Sequence, residues 1–449
     1  MTSKIEYKGQ WKLPYEEEWI NGTLSFDPKY GGKLELFGTF NPNFLDQSSK
    51  EIILGKTDNG DITLIDNWYR TKKVTTHTGV TIGIYEPIKI IKGHHFKKET
   101  EINFRKVIFK PFNLFQWLAK TGQNHDFRNH SNSHSLNYEE VPRIEFELNE
   151  NCKGYISFDA PLSLNADYNA VNFREEAYVN LIYSDKVNLS KIIEDVTIFV
   201  QLITLLTFEQ SYPIDITLKD QDYTTEQGRF KEEKFVKCFY RTTFYSQKHK
   251  LRNQGQHIVR YSEIEPDFPK IIQNWFNLYH KMEPVIILML HHFKSKYLFS
   301  SDKFMDSIRA LESYHRQNFN NERIPIEKFD KLVADIKSQV DLSEDDEKWL
   351  SSRLIGNEPS LATRLKELVT ANQNEYIIEK IIDLNKYCHK ATSSRNYYTH
   401  YTKELEKRAL KGSKLSELTR TNRGLLFSCI LKEIGIENEY FEKGLKYNL

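Results

Sequence analysis

The chain has 449 residues, 39% hydrophobic and 28% charged, an ordinary composition for two folded domains with buried cores. Its 63 basic and 62 acidic side chains leave a net charge of +1. That excludes a protein that coats nucleic acid through overall charge, so any such contact must come from a local patch.

The first part reads as β-structure. Trp19 to Phe26 alternates as a strand, Asp27 to Gly32 has turn chemistry, and Lys33 to Phe40 reads as the next strand. The turn Asp58-Asn59-Gly60-Asp61 separates Ile52–Leu54 from Ile62–Ile65. Further strands are predicted at Val80–Tyr85, Glu101–Phe109, Arg143–Leu148, Gly154–Phe158 and Phe173–Tyr183. Many short strands with regular turns predict a sandwich or a barrel-like sheet. Between them, Gln123 to His134 holds His125, His130, His134 and Asp126 without apolar periodicity. It reads as an exposed loop, and spacing alone supports no metal site there or at His94-His95 and His291-His292. Leu189 to Phe208 has helical apolar spacing, with Asn188 or Ser190 placed to cap it. Two more strands are expected at Ile214–Leu218 and Phe235–Thr243. No P-loop, GxGxxG or HExxH occurs, so a binding or sensing role and a purely structural one both fit this part.

Two prolines among acidic residues, Ser262 to Pro269, mark a boundary. The fold class is therefore α+β: a mostly-β domain over 1–262 and an all-helical bundle over 263–449. Helices are predicted at Lys270–Phe293, Lys303–Gln317 with Ser301 or Asp302 as cap, Pro325–Gln339, Ser343–Leu354, Ser360–Thr370, Glu375–Lys390 and Leu415–Ile436. In the sixth, Ile377, Ile378, Ile381, Ile382, Leu384 and Tyr387 are expected to face the core.

The four cysteines, Cys152, Cys238, Cys388 and Cys429, are scattered. They indicate neither zinc nor a disulfide framework, and a reduced, cytoplasmic compartment fits them. Met1 to Tyr15 lacks the apolar core of a signal peptide, and the most apolar run, Pro284–Leu290, is too short to span a bilayer. No cofactor, metal or membrane contact is expected.

One stretch suggests a reaction: Ser393-Ser394-Arg395-Asn396-Tyr397-Tyr398-Thr399-His400-Tyr401. Arginine offers a planar positive fork for phosphate. Histidine passes protons near neutral pH. Beside a phosphodiester these two suffice to cleave RNA without a metal, the 2'-hydroxyl acting as internal nucleophile. The spacing alone is weak. Arg70 and His77, Arg128 and His134, Arg252 and His257, and Arg309 and His315 are similarly placed, and roughly one or two such pairs arise by chance. The setting favours Arg395 and His400. From Lys386 to Arg423 there are ten basic residues, among them Lys390, Lys403 and Lys407, and three acidic ones. A new helix is expected to start near Thr392, Ser393 or Ser394. On a regular helix, residues five apart stand about 140° apart around the axis. Arg395 and His400 therefore converge only through irregular backbone, a long reach by the arginine, or a second subunit.

The chain resembles the ApeA family of bacterial anti-phage proteins. The C-terminal likeness rests on Ile308–Arg316, Pro359–Leu365 and Arg395–Tyr401. The N-terminal likeness rests on Gly9–Pro14, Asn21–Pro28, Ile53–Thr57 and Thr63-Leu64. The family joins a characteristic N-terminal domain to a helical HEPN domain. The resemblance implies a metal-independent endoribonuclease whose composite cleft forms in a homodimer. It implies His400 as the proton-transfer residue, Arg395 as the phosphate contact, and Asn396 as the group that orients the site or bonds RNA. Glu312 is expected to pair with Arg395. Tyr397, Tyr398 and Tyr401 are candidates for base stacking, with core packing as the competing role for two of them. His315 reads as structural. The implied partners are RNA, tRNA being one candidate, and a phage-derived trigger at the N-terminal domain. A non-catalytic HEPN module that binds RNA or protein is the alternative.

Overall fold

The structure is a computed structural model that describes residues 4–41, 43, 46–74, 81–126, 135–164, 171–220, 224–227, 230–233, 235–242, 251–294 and 299–449. The chain divides into two compact units, 1–277 and 278–449.

The first unit begins with six strands: β1 (Ile5–Lys12), β2 (Ile20–Asp27), β3 (Gly31–Leu36), β4 (Lys50–Thr57), β5 (Gly60–Val74) and β6 (Thr81–Lys92). They pair antiparallel in the order β6-β3-β2-β1-β4-β5, and β5 pairs again with β6. That second pairing closes a six-stranded barrel, which removes the open edges a flat sheet would carry. Alternation along each strand sends Trp11, Leu24, Leu34, Leu36, Ile53, Leu64 and Tyr85 to the interior. Trp11 fits because Gly55 has no side chain; a Cβ there would come within 2.2 Å of the indole.

The remaining elements of this unit are β7 (Asn103–Pro111), α1 (Leu114–Leu118), β8 (Gln123–Asp126), β9 (Ser135–Tyr138), β10 (Ile144–Asn149), β11 (Cys152–Asp159), β12 (Leu162–Leu164), β13 (Val171–Phe173), β14 (Glu176–Asn188), α2 (Leu189–Thr207), β15 (Pro213–Lys219), β16 (Thr224–Gln227), β17 (Phe230–Glu233), β18 (Val236–Tyr240) and α3 (Tyr261–Ile264). From β6 the sheet continues as β18-β15-β7-β14-β11-β10. Asn188 caps α2, its side chain accepting from Lys191 N at 2.8 Å. From Ile198 to Thr207 every α2 residue is buried, so the helix is core on all sides. Phe199 meets Phe109 of β7 edge-on at 5.5 Å, and Trp275 Nε1 donates to Ile198 O at 2.8 Å.

Two expectations change here. Ile5–Lys12 is a barrel strand that the turn signals did not mark. Gln123–Asp126, read as loop, is strand β8 paired with β9; the rest of that histidine stretch, 127–134, lies outside the described residues.

Helices fill the second unit: α4 (Phe268–Lys294), which begins in the first, then α5 (Ser300–Asn318), α6 (Ile326–Ser338), α7 (Glu344–Arg353), α8 (Leu361–Ala371), α9 (Glu375–Lys380), α10 (Leu384–His400), α11 (Lys403–Glu406), α12 (Gly412–Glu433) and α13 (Asn438–Asn448). The helix α4 kinks at Met282, where Pro284 two residues later disturbs the hydrogen-bond ladder. Phe299 stands at the N-cap of α5 without a side-chain cap, so neither Ser301 nor Asp302 takes that position. Phe304, Ile308 and Leu311 of α5, Leu365 and Leu368 of α8, and Leu425 and Ile430 of α12 are buried. A buried polar relay crosses them: Tyr387 Oη donates to Asn422 Oδ1 at 2.8 Å, and Asn422 Nδ2 donates to Ser307 Oγ at 3.1 Å.

The helix predicted over Glu375–Lys390 is two helices. Non-helical backbone at Ile381 (φ −117°, ψ 69°) ends α9, and Asp383 caps α10 by accepting from Lys386 N at 2.9 Å. The break shifts the helical phase. Ile377 and Tyr387 are buried, but Ile378 and Ile382 are 60% and 93% exposed. It also moves the expected new start: α10 runs unbroken through Thr392, Ser393 and Ser394.

Two stability predictions follow from this packing. A Cβ on Gly424 of α12 would lie 2.1 Å from Tyr376 Cε1 of α9. Alanine normally strengthens a helix by about 1 kcal/mol over glycine, but Gly424→Ala is expected to destabilise this unit by roughly 1–3 kcal/mol through overpacking. Urea unfolding measures it, and equal or higher stability would show that Tyr376 moves aside freely. Burial pushes His292 down to about 3 from 6.5, with Arg423 and Lys303 adding to the effect. The unfolded chain then binds the proton first as pH falls. The His292 contribution is intact above about 6.5 and is lost progressively toward about 3. The melting temperature of His292→Gln should therefore fall less steeply than that of the parent over this range; parallel curves would remove His292 from the titration.

Candidate active site

Arg395, Asn396 and His400 all lie on α10, in its last six residues. The helix is held from its inner face. Tyr387, Cys388, Ala391 and Ser394 are buried there, at the spacing of three and four that makes one face. At 100° per residue this leaves Arg395 at the margin of the packed face, and Asn396 and His400 share a face four residues apart. Arg395 and Asn396 are half-buried and His400 is exposed.

Among the described residues, the Arg395 guanidinium has two polar neighbours. Its Nη2 is 3.7 Å from Glu312 Oε2 on α5. Its Nη1 donates to Asn396 Oδ1 at 3.3 Å. The expected Glu312 pair is thus present as a loose ion pair. A guanidinium has five donors, so these two contacts leave further N–H groups on the fork. Asn396 connects the two ends of the motif: it bonds Arg395 and stands on the His400 side.

After His400 the chain turns sharply. Tyr401 closes α10 in the left-handed conformation with φ 52°, and its N–H donates to Tyr397 O at 2.7 Å. Two inward groups hold the returning segment. Leu410 N donates to Ser394 Oγ at 3.0 Å, and Tyr398 Oη donates to Leu410 O at 3.1 Å. The three tyrosines differ. Tyr398 packs against Phe304, and its burial raises its phenol pKa. Tyr397 lies beneath the Lys411 ammonium at 5.4 Å. Tyr401 is 65% exposed, the ring most available for stacking. Lys390 is half-buried on α10, five positions before Arg395, whereas Lys403 opens α11, Lys407 follows it, and both are exposed.

The other Arg–His spacings do not make comparable sites. His257 is buried, and burial pushes it down to about 4. His315 is fully buried while Arg309, on the same helix, is exposed. The remaining two pairs include His77, Arg128 and His134, which lie outside the described residues. Among the described residues, no group of three or more His, Cys, Asp or Glu could hold a metal ion. His95 Nε2 instead bonds Gly55 O at 2.8 Å, and His291 Nδ1 bonds Asp306 at 3.0 Å. No helix among the described residues is long and apolar enough to cross a membrane.

Sequence reasoning missed the groups behind Glu312. Arg316, one turn along α5, donates to Glu312 Oε1 at 3.3 Å. The four-residue spacing of Glu312 and Arg316 was the available signal.

The family model for ApeA N-terminal domain 1 matches residues 6–275. The model for Apea-like HEPN matches residues 305–440, which include Glu312, Arg395, Asn396 and His400. No curated protein and no solved structure matches the chain. The first match alone covers more than half of the sequence, and the second supports a ribonuclease activity for the helical unit. The chain therefore belongs to the ApeA family, anti-phage effectors that place an ApeA N-terminal domain ahead of an ApeA-like HEPN domain.

Proposed function

We propose that the helical unit is a metal-independent endoribonuclease that acts on host RNA, with tRNA as one candidate substrate. The observation that carries this reading is the Arg395–Asn396–His400 set. It lies on accessible helix, with Arg395 oriented by Glu312 and within the matched HEPN segment. In the proposed step His400 takes the proton of a ribose 2'-hydroxyl. The 2'-oxygen bonds to phosphorus as the P–O5' bond breaks, and the 5'-oxygen leaves with a proton taken from water, the His400 imidazolium returning its own proton to solvent. The products are a 2',3'-cyclic phosphate and a 5'-hydroxyl. Arg395 stabilises the charge that develops on the phosphoryl oxygens, and Asn396 orients it. Tyr401 offers a ring for stacking, while Lys390, Lys403 and Lys407 supply charge for the backbone.

The regular course of α10 leaves Arg395 and His400 about 140° apart in one copy. A homodimer that brings two α10 ends together supplies the arginine of one copy and the histidine of the other. The same divergence favours the second reading, a HEPN module that binds RNA or protein without cutting. In cells infected with phage, sequencing that captures cyclic-phosphate ends is expected to find new ends with the intact protein and none with His400→Ala. Phage restriction without His400-dependent ends would select the binding module. Chelation by EDTA should leave cleavage unchanged.

A ribonuclease must be restrained at rest. We assign that role to the N-terminal domain, which releases the site when a phage component binds. Deleting 1–262 is then expected to give a constitutively toxic fragment. A folded, dimeric and harmless fragment would overturn restraint by this domain.

A further inference from the structure

Behind Arg395 lies a chain of alternating charges that runs from the protein interior to the surface. It starts at Arg364 of α8, which is 1% exposed. The Arg364 Nη1 donates to His315 Nδ1 at 2.9 Å, and its Nε donates to Pro359 O at 3.1 Å. Arginine only donates, so His315 Nδ1 accepts. The ring proton is therefore on Nε2, which donates to Glu367 Oε2 at 2.6 Å. Burial lowers the His315 pKa and keeps this neutral form. Phe319 stacks on the ring at 4.7 Å. Arg364 is thus fixed on several sides.

From there the chain turns outward. Arg364 Nη2 is 3.3 Å from Glu358 Oε2. The same oxygen is 2.6 Å from Arg316 Nη2. Arg316 Nη2 also reaches Glu312 Oε1 at 3.3 Å, which leaves Glu312 Oε2 facing Arg395 at 3.7 Å. A partly exposed i,i+4 pair such as Glu312–Arg316 is weak and would not hold a rotamer alone. Glu358 makes the difference. Its Oε2 joins the long Arg316 side chain to the immobile Arg364.

We propose that Arg316 is a positioning residue for Arg395, acting through Glu312. Held by Glu358, it pins one carboxylate oxygen of Glu312 and so directs the other at Arg395. The inference rests on the reading of Arg395 as the phosphate contact of a ribonuclease, and it adds the parts that aim it. It also separates Arg316 from the basic patch: in this scheme Arg316 does not touch RNA.

The test is a double-mutant cycle on the full chain, read as the single-turnover cleavage rate at saturating RNA. Arg316→Ala and Glu312→Ala are each expected to slow cleavage on the order of tenfold, and the double variant should be no slower than either. Glu358→Gln should slow it in the same direction, although it removes a negative charge and on electrostatic grounds would favour RNA. All three positions are partly exposed, and melting temperatures are expected to stay near that of the parent. Three results overturn the proposal while leaving the ribonuclease reading intact. These are additive losses in the double variant, unchanged or faster cleavage by Glu358→Gln, and a fall of about one in the salt slope of RNA binding on Arg316→Ala, the mark of a lost phosphate contact. If the parent shows no cleavage that His400→Ala abolishes, the ribonuclease reading falls and takes this inference with it.

Discussion

The site depends on one constraint, the unbroken helical course of α10 from Leu384 to His400. Its inner face is committed to packing through Tyr387, Cys388, Ala391 and Ser394, and the 100° step between residues does the rest. Arg395 must then stand beside α5, where Glu312 waits. Asn396 and His400 must stand together one residue further round. Once Ser394 and Tyr398 have bound Leu410, the segment after the helix folds back and leaves the His400 end accessible. None of these placements needs a special backbone except at Tyr401, where a non-glycine residue takes the left-handed conformation to end the helix.

The magnitudes say what the ion pair at the site is for. Glu312 and Arg395 are both partly exposed and 3.7 Å apart. Water offsets most of their attraction, so the pair is worth about 0–1 kcal/mol of stability. In the proposed function its effect is on direction. A long arginine side chain has much rotamer freedom to lose when it meets a phosphate, and a guanidinium already held on one side loses less. Stability comes instead from apolar burial on α5, α8 and α12 and from the Tyr387–Asn422–Ser307 relay, whose polar atoms would be costly to leave unpaired.

Much of this was legible in the residue order. Period-two runs marked most of the strands and period-3.6 runs most of the helices, because burial of one face imposes those repeats on any chain. Asn188, Ser343 and Ser360 mark helix starts and do cap them. The Asp27–Gly32 and Asp58–Asp61 turns join the strands they were expected to join. The misses are also physical. Ile5–Lys12 carries glycine and charges, and only closure of the barrel on both its sides makes it a strand. Ile378 and Ile382 read as core because a periodic pattern continues on paper across Ile381, where the backbone does not.

The sequence by itself determined the local periods, the turn and cap chemistry, the α+β class and the Arg395–Asn396–His400 motif. These follow from side-chain shape, hydrophobicity and hydrogen bonding over a few residues, and family likeness carried the rest. Tertiary structure alone decided that β5 returns to β6 to close a barrel, and that Arg395 lies inside a continuous helix rather than at a joint. It alone brought Arg316, Glu358, Arg364 and His315 into line behind Glu312. Those contacts join residues separated by up to 83 positions, from Glu312 to Arg395. No local preference encodes them, because they exist only after α5, α8 and α10 have buried their apolar faces against one another.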